Sequence, residues 1–131
     1  DINIQRQATE LLLRSELELG IPIRITEGYR SIATQNEYFS RGRSQSQLDA
    51  VGLHDVTAQP NLKKITTVIG GQSAHNYGLA FDIVGTQGGY DINWNIVGNL
   101  GISIGLEWGG SWRRFPDRPH FQVTNWRQLI H

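Results

Sequence analysis

Cysteine is absent from these 131 residues, and so is methionine. Without cysteine there are no disulfides, thiol nucleophiles, iron–sulfur clusters or zinc sites built on thiolates. Any metal must be held by histidine and carboxylate. No apolar run approaches the roughly 18 residues that a membrane span needs. Neither sign of charge is in excess, with 12 Lys and Arg against 12 Asp and Glu. That balance argues against a nucleic-acid binder working by bulk electrostatics, since no basic surplus exists to neutralise phosphates. Hydrophobic residues at 38% and charged residues at 18% mark a chain that folds, because disorder goes with low hydrophobicity and high net charge. The length predicts one domain over residues 1–131. The missing methionine predicts a processed or excised piece, and no signal peptide is visible within it.

Residues 4–19 read as an amphipathic helix, with Ile4, Ala8, Leu11, Leu12 and Leu19 on one face and Gly20 as the C-terminal cap. Ile23–Thr26 alternates like a half-buried strand. Ser31 is placed to N-cap a second helix over 32–41, closed by Gly42. Residues 43–60 show little periodicity and read as a long loop, a feature often functional in compact domains. Ile65–Ile69 and Leu79–Val84 read as strands, the second interrupted only by Asp82. Asp91 is expected to cap a third helix with Ile92, Ile96, Leu100 and Ile104 on its face, although Gly98 and Gly101 weaken it. Leu106–Trp108 and His120–Val123 are two short late strands. This order of elements predicts an α+β fold with a largely antiparallel sheet.

Of the four histidines, His54 lies in the polar loop and His131 at the chain end, where both are expected to be exposed. His75 sits in Ser73-Ala74-His75-Asn76-Tyr77-Gly78-Leu79-Ala80-Phe81-Asp82. A carboxylate in an apolar strand needs a cation or several hydrogen bonds. Gly78 lets the chain bend so that His75 and Asp82 converge. One reading makes His75, Asp82 and His120 three ligands of a catalytic zinc with one open position. The other pairs Asp82 with an arginine and lets His75 cap a turn. Both fit the residue types. Asp117, three residues before His120, is a candidate general base, or a loop aspartate paired with Arg113, Arg114 or Arg118. Glu107 is a partner behind a ligand histidine or a strand-end acid. Trp108, Trp112 and Phe115 wall a cleft or fill a core. Arg30, at a strand-to-helix turn, suits an oxyanion or carboxylate, or a structural ion pair.

Taken in order, these pieces resemble the bacterial and phage peptidoglycan metallopeptidases that include the D-Ala-D-Ala carboxypeptidases and the L-alanyl-D-glutamate endopeptidases. Ser73 to Asp82 is similar to their Ser-x-His-x-x-Gly-x-Ala-x-Asp signature throughout, and Tyr29-Arg30-Ser31 with Gln35 is similar to their upstream arginine motif. The resemblance spans roughly residues 20 to 123 and implies a small, largely antiparallel sheet flanked by helices with the zinc site at the sheet, as in hedgehog and DD-peptidase-like domains. It implies one Zn²⁺ on His75, Asp82 and His120, with Asp117 as general base in a position where many members have Glu, and Glu107 in reserve. It implies that Arg30 steadies the scissile carbonyl or a substrate carboxylate, and that Ser73 and Gln35 lie near the substrate. As a wall of the cleft, Trp108 is a further candidate substrate contact. Carboxypeptidases of this kind tend to read Glu-x-Trp-His near the last ligand. Here the stretch is Glu107-Trp108-Gly109-Gly110 followed by Asp117-Arg118-Pro119-His120, similar to the endopeptidases of phage endolysins.

The resemblance therefore implies cleavage of the peptidoglycan stem peptide between L-Ala and D-Glu, at the bacterial cell wall, after phage lysis or secretion. A carboxypeptidase removing D-Ala and a zinc-stabilised wall-binding module without turnover are the competing readings. With no net charge to draw it to an anionic wall, the domain is expected to work beside a separate wall-binding segment.

Overall fold

The computed structural model describes residues 2–130, with Ile2 lacking a described side chain. His131 lies outside them. The chain divides into two compact units, one running to Tyr29 and resuming at Gly78, the other Arg30–Tyr77.

The first unit holds α1 (Ile2–Leu19), β1 (Ile23–Glu27), β2 (Ala80–Gly85), α4 (Trp94–Ile104), β3 (Leu106–Trp108) and β4 (His120–Val123). Its four strands form one sheet in the order β1-β2-β4-β3, and every pairing is antiparallel. The α+β expectation with a small antiparallel sheet and helices holds. Side chains alternate across a strand, and here the alternation separates two chemistries. Phe81, Ile83, Leu106, Trp108 and Phe121 join Ile4, Ala8 and Leu11 of α1 and Trp94 and Val97 of α4 in the hydrophobic core. The Phe81 and Phe121 rings stack at 5.7 Å between centroids, as register partners. Full burial of such a side chain contributes about 1.5–3 kcal/mol. The residues in between, Asp82, Glu107, His120 and Gln122, belong to the other face. Among the described residues no helix is long and apolar enough to cross a membrane.

The ends of α1 and α4 follow from local chemistry. Gly20 adopts φ +68°, and the N–H groups of Gly20 and Ile21 donate to the carbonyls of Glu16 and Ser15. The cap of α4 is Asn93, whose side chain accepts from Ile96 N–H, rather than the expected Asp91. Its buried face is wider than the expected one, of which Ile92, Leu100 and Ile104 pack against the core. Trp94, Val97, Gly98 and Gly101 face inward, whereas Ile96 is exposed. The two glycines are the reason. A Cβ on Gly98 would fall 2.2 Å from Trp108 Cδ2, and one on Gly101 2.4 Å from Phe121 Cε1. Residues that weaken the helix in isolation let it lie close on the sheet.

The second unit holds α2 (Ile32–Ser40) and α3 (Gln45–Ala50). Ser31 caps α2 by accepting from Thr34 N–H, as its position predicts. Helix α3 corrects the loop expected over 43–60. Ser44 and Gln47 close a reciprocal capping box around its first turn, and Leu48 is fully buried. The strand expected over Ile65–Ile69 does not form. Side chains engage its backbone instead: Gln35 Nε2 donates to Val68 O at 2.7 Å, Val68 N–H to Thr66 Oγ1 at 3.1 Å, and Gly70 N–H to Asn36 Oδ1 at 2.7 Å.

Candidate metal centre

His75 sits in a 3₁₀ turn, Ala74–Tyr77, and is buried. Asn76 builds that turn. Its Oδ1 accepts from Gly71 N–H at 3.0 Å and Ser73 N–H at 3.2 Å, and its Nδ2 donates to Arg30 O at 2.9 Å and Ser31 O at 3.4 Å. The backbone of His75 is held at both ends, its N–H donating to Ser73 Oγ at 3.3 Å and its carbonyl accepting from Arg30 N–H at 2.9 Å. Gly78 then takes φ +69°, a conformation that side chains other than glycine rarely adopt, and the chain turns into β2.

Asp82 of β2 and His120 of β4 are register partners, and their side chains meet with Oδ1 3.2 Å from Nδ1. A register shift in β1 between Ile25 and Glu27 brings Glu27 opposite Asp82, a placement that regular strand alternation does not reveal. One ligand atom each from His75, Asp82 and His120 lies within 4.8 Å of the others. Among the described residues this is the one cluster of at least three His, Asp or Glu groups close enough to share an ion.

The donor set fits zinc. Two imidazoles and a carboxylate leave a fourth position open, as catalytic zinc requires. The surroundings of His120 fit as well. Its Nε2 lies 2.7 Å from Gln122 Oε1. The Gln122 amide is oriented by Glu107, whose Oε2 accepts from Gln122 Nε2 at 3.1 Å and from Trp112 Nε1 at 2.8 Å. With its carbonyl oxygen aimed at Nε2, Gln122 accepts a hydrogen bond from that nitrogen, and the lone pair of neutral His120 falls on Nδ1, on the side of Asp82 where a metal would sit. Without a metal, burial disfavours the charged imidazole, but the Asp82 and Gln122 hydrogen bonds and the charges of Asp82 and Asp117 outweigh it, so the His120 pKa is raised. Gln122 was not singled out in the sequence. Its signal was there, two residues beyond His120 and hence on the same strand face.

Asp117 is exposed and opens a turn, its carbonyl accepting from His120 N–H at 3.2 Å and its own N–H donating to Gly109 O at 2.9 Å. Among the described residues it makes no ion pair with Arg113, Arg114 or Arg118, whose side chains carry no hydrogen bond or ion pair. Gly109 permits the turn, since a Cβ there would lie 2.4 Å from Asp117 O. Arg30 Nη1 donates to Gln35 Oε1 at 2.7 Å, and the guanidinium lies 4.8 Å from the Tyr38 ring centroid.

Two residues expected near the substrate are buried. Gln35 is 1% exposed, and its amide is spent on Arg30 and Val68, so it positions Arg30. Trp108 is 6% exposed in the core, packed on Gly98, with its indole N–H donating to Arg118 O at 2.8 Å. Strand alternation turns it away from the face that carries Glu107. The Glu107 oxygen Oε2 already serves two donors, so this residue acts on His120 through Gln122.

Comparison with known proteins agrees with this arrangement. Residues 67–123 match the family described as D-alanyl-D-alanine carboxypeptidase. The peptidoglycan L-alanyl-D-glutamate endopeptidase CwlK of Bacillus subtilis (strain 168) is 33% identical over 135 aligned residues, covering 92% of this chain and 71% of that protein. Among solved structures, a mutant of the vancomycin resistance D,D-pentapeptidase VanY from a VanB-type cassette, in complex with Zn(II), superposes with a TM-score of 0.64 at 18% identity, over 95% of this chain and 72% of that one. The Serratia marcescens L-Ala D-Glu endopeptidase ChiX gives 0.53 at 22% identity, over 94% and 84%. These two likenesses speak to the fold, and the sequence match carries the relationship. The chain thus belongs to the D-Ala-D-Ala carboxypeptidase and L-alanyl-D-glutamate endopeptidase family, zinc metallopeptidases that act on the peptides of the bacterial cell wall.

Proposed function

We propose that the chain is an L-alanyl-D-glutamate endopeptidase that cuts the peptidoglycan stem peptide between L-Ala and D-Glu. The observation that carries this reading is the 33% identity to an L-alanyl-D-glutamate endopeptidase across 92% of the chain. Residues 1–131 act as one catalytic domain, to which both compact units belong. It reaches the wall by release at phage lysis or by secretion, and a separate wall-binding domain supplies the attraction that a chain of zero net charge lacks.

One zinc ion is held by His75, Asp82 and His120. Zinc bound there supplies Lewis acidity to the scissile carbonyl. Asp117 takes a proton from the attacking water and returns it to the leaving amine of D-Glu. Arg30 donates to the carbonyl oxygen as negative charge grows on it, an interaction stronger in the transition state than in the ground state. Gln35 fixes the Arg30 guanidinium for that task, and Ser73 offers its hydroxyl to the substrate.

Mass spectrometry of purified peptidoglycan after incubation with the zinc-loaded chain tests this. New free D-Glu amino termini are expected. Loss of a single D-Ala from otherwise intact stems moves the activity to the carboxypeptidase branch. Bound zinc with neither product overturns hydrolysis in favour of a binding module. Asp117→Ala is expected to abolish turnover and keep the zinc, and activity in that variant rejects Asp117 as the base.

A further inference from the structure

The segment between β3 and β4 contains three arginines that the hydrolytic machinery does not use. Arg113, Arg114 and Arg118 are exposed, and among the described residues none of their side chains has a hydrogen bond or ion pair. In contrast, both ends of the segment are tied to His120. At one end the Trp112 ring lies 5.2 Å from the His120 ring between centroids, and its indole N–H is fixed by Glu107. At the other end the Asp117 carbonyl accepts from His120 N–H, while the Trp108 indole grips the Arg118 carbonyl. Gly109 O accepts from Asp117 N–H and draws the two ends together. Free cationic groups are thereby held within a few residues of a metal-ligating histidine.

The tip is held in an unfavourable form. Phe115 has φ +52° and is 72% exposed. A bulky residue rarely adopts that conformation, and strain of this kind gathers at sites of function. It turns the chain at Phe115, between the pair Arg113–Arg114 and the anchored Asp117–Arg118.

We infer that the Trp112–His120 segment is a carboxylate-reading rim, with Arg113, Arg114 and Arg118 binding the free carboxylate of the residue that follows the scissile bond. This inference rests on the proposed cleavage before D-Glu. A glutamate in that position carries two carboxyl groups, and when one links onward the other remains free. Guanidinium is suited to that group, because its planar fork matches a carboxylate with two parallel hydrogen bonds. Asp117 keeps the rim selective, since its own charge sits among the arginines and leaves them a surplus of two positive charges over residues 113–118.

Two synthetic stem peptides test the rim, one with that carboxylate free and one with it converted to the carboxamide. The zinc-loaded chain is expected to prefer the free acid by about tenfold in kcat/KM at low salt, through KM rather than kcat, with the preference shrinking as ionic strength rises. The variant R113Q/R114Q/R118Q is expected to lose the preference and to cleave the carboxamide as well as the parent does, whereas Arg6→Gln, on α1, changes neither. Equal cleavage of the two peptides by the parent, or an intact preference in the triple variant, overturns the inference. If neither peptide is cut, the cleavage reading fails. Calorimetric binding of the D-Glu-initiated fragment, as acid and as amide, to parent and triple variant then decides the rim by itself. Acid-selective binding lost in the variant supports it, and equal binding rejects it.

Discussion

Glu107 reaches His120 through Gln122, whose amide it orients. The carboxylate accepts the Gln122 amide N–H at 3.1 Å, which turns the amide oxygen to His120 Nε2 at 2.7 Å. Replacing Gln122 with Leu keeps the volume and removes the orientation. The expected result is a 10- to 100-fold loss of zinc affinity, of order typical for such partners. Competition against a chromophoric chelator measures it, with circular dichroism showing an unchanged fold. Glu107→Gln is expected to act in the same direction and less strongly. Unchanged affinity in Gln122→Leu rejects the relay.

Asn76 shapes the His75 turn through four hydrogen bonds, and it is buried. Truncation to Ala strands backbone groups on both sides, at about 1–3 kcal/mol for each buried group left without a partner. Chemical denaturation should therefore give a lower midpoint for Asn76→Ala. Zinc affinity should fall with it, because the backbone that carries His75 is no longer held. A stable variant with full affinity contradicts this role.

Gly98 is expected to reject even a methyl group. Alanine gains about 1 kcal/mol of helix propensity over glycine. The Trp108 ring stands 2.2 Å from the new Cβ, however, and both flank the core. Overpacking of that kind costs about 1–3 kcal/mol, so the clash outweighs the propensity. Calorimetry should record a melting temperature several degrees lower for Gly98→Ala. Alanine at exposed Ile102 of α4 serves as the surface control.

The elements legible in the sequence were those whose signal is local. Ser31 capped the helix it preceded, and the ten residues from Ser73 to Asp82 carried their chemistry in their spacing. The misread elements depended on partners distant in the chain. Ile65–Ile69 has the composition of a strand, but Gln35 and Asn36 take the hydrogen bonds a neighbouring strand would need. Gly98 and Gly101 read as helix weakeners until Trp108 and Phe121 filled the space above them. Trp108 invited a place in the cleft, and the strand pleat turned it inward. Helix α3 is the exception, since its Ser44 and Gln47 capping box is local and yet lies in a stretch whose polar composition reads as loop.

The pleat that buries Phe121 and presents His120 and Gln122 on the opposite side ties two fates together. A slip of one residue between β2 and β4 would exchange the faces, sending Phe121 into water and His120 into the oil. Core assembly and the alignment of the metal ligands thus depend on the same register. Zinc uptake becomes a fidelity check on folding: a chain that captures the ion has paired its strands correctly, and a misaligned one declares itself by failing to do so.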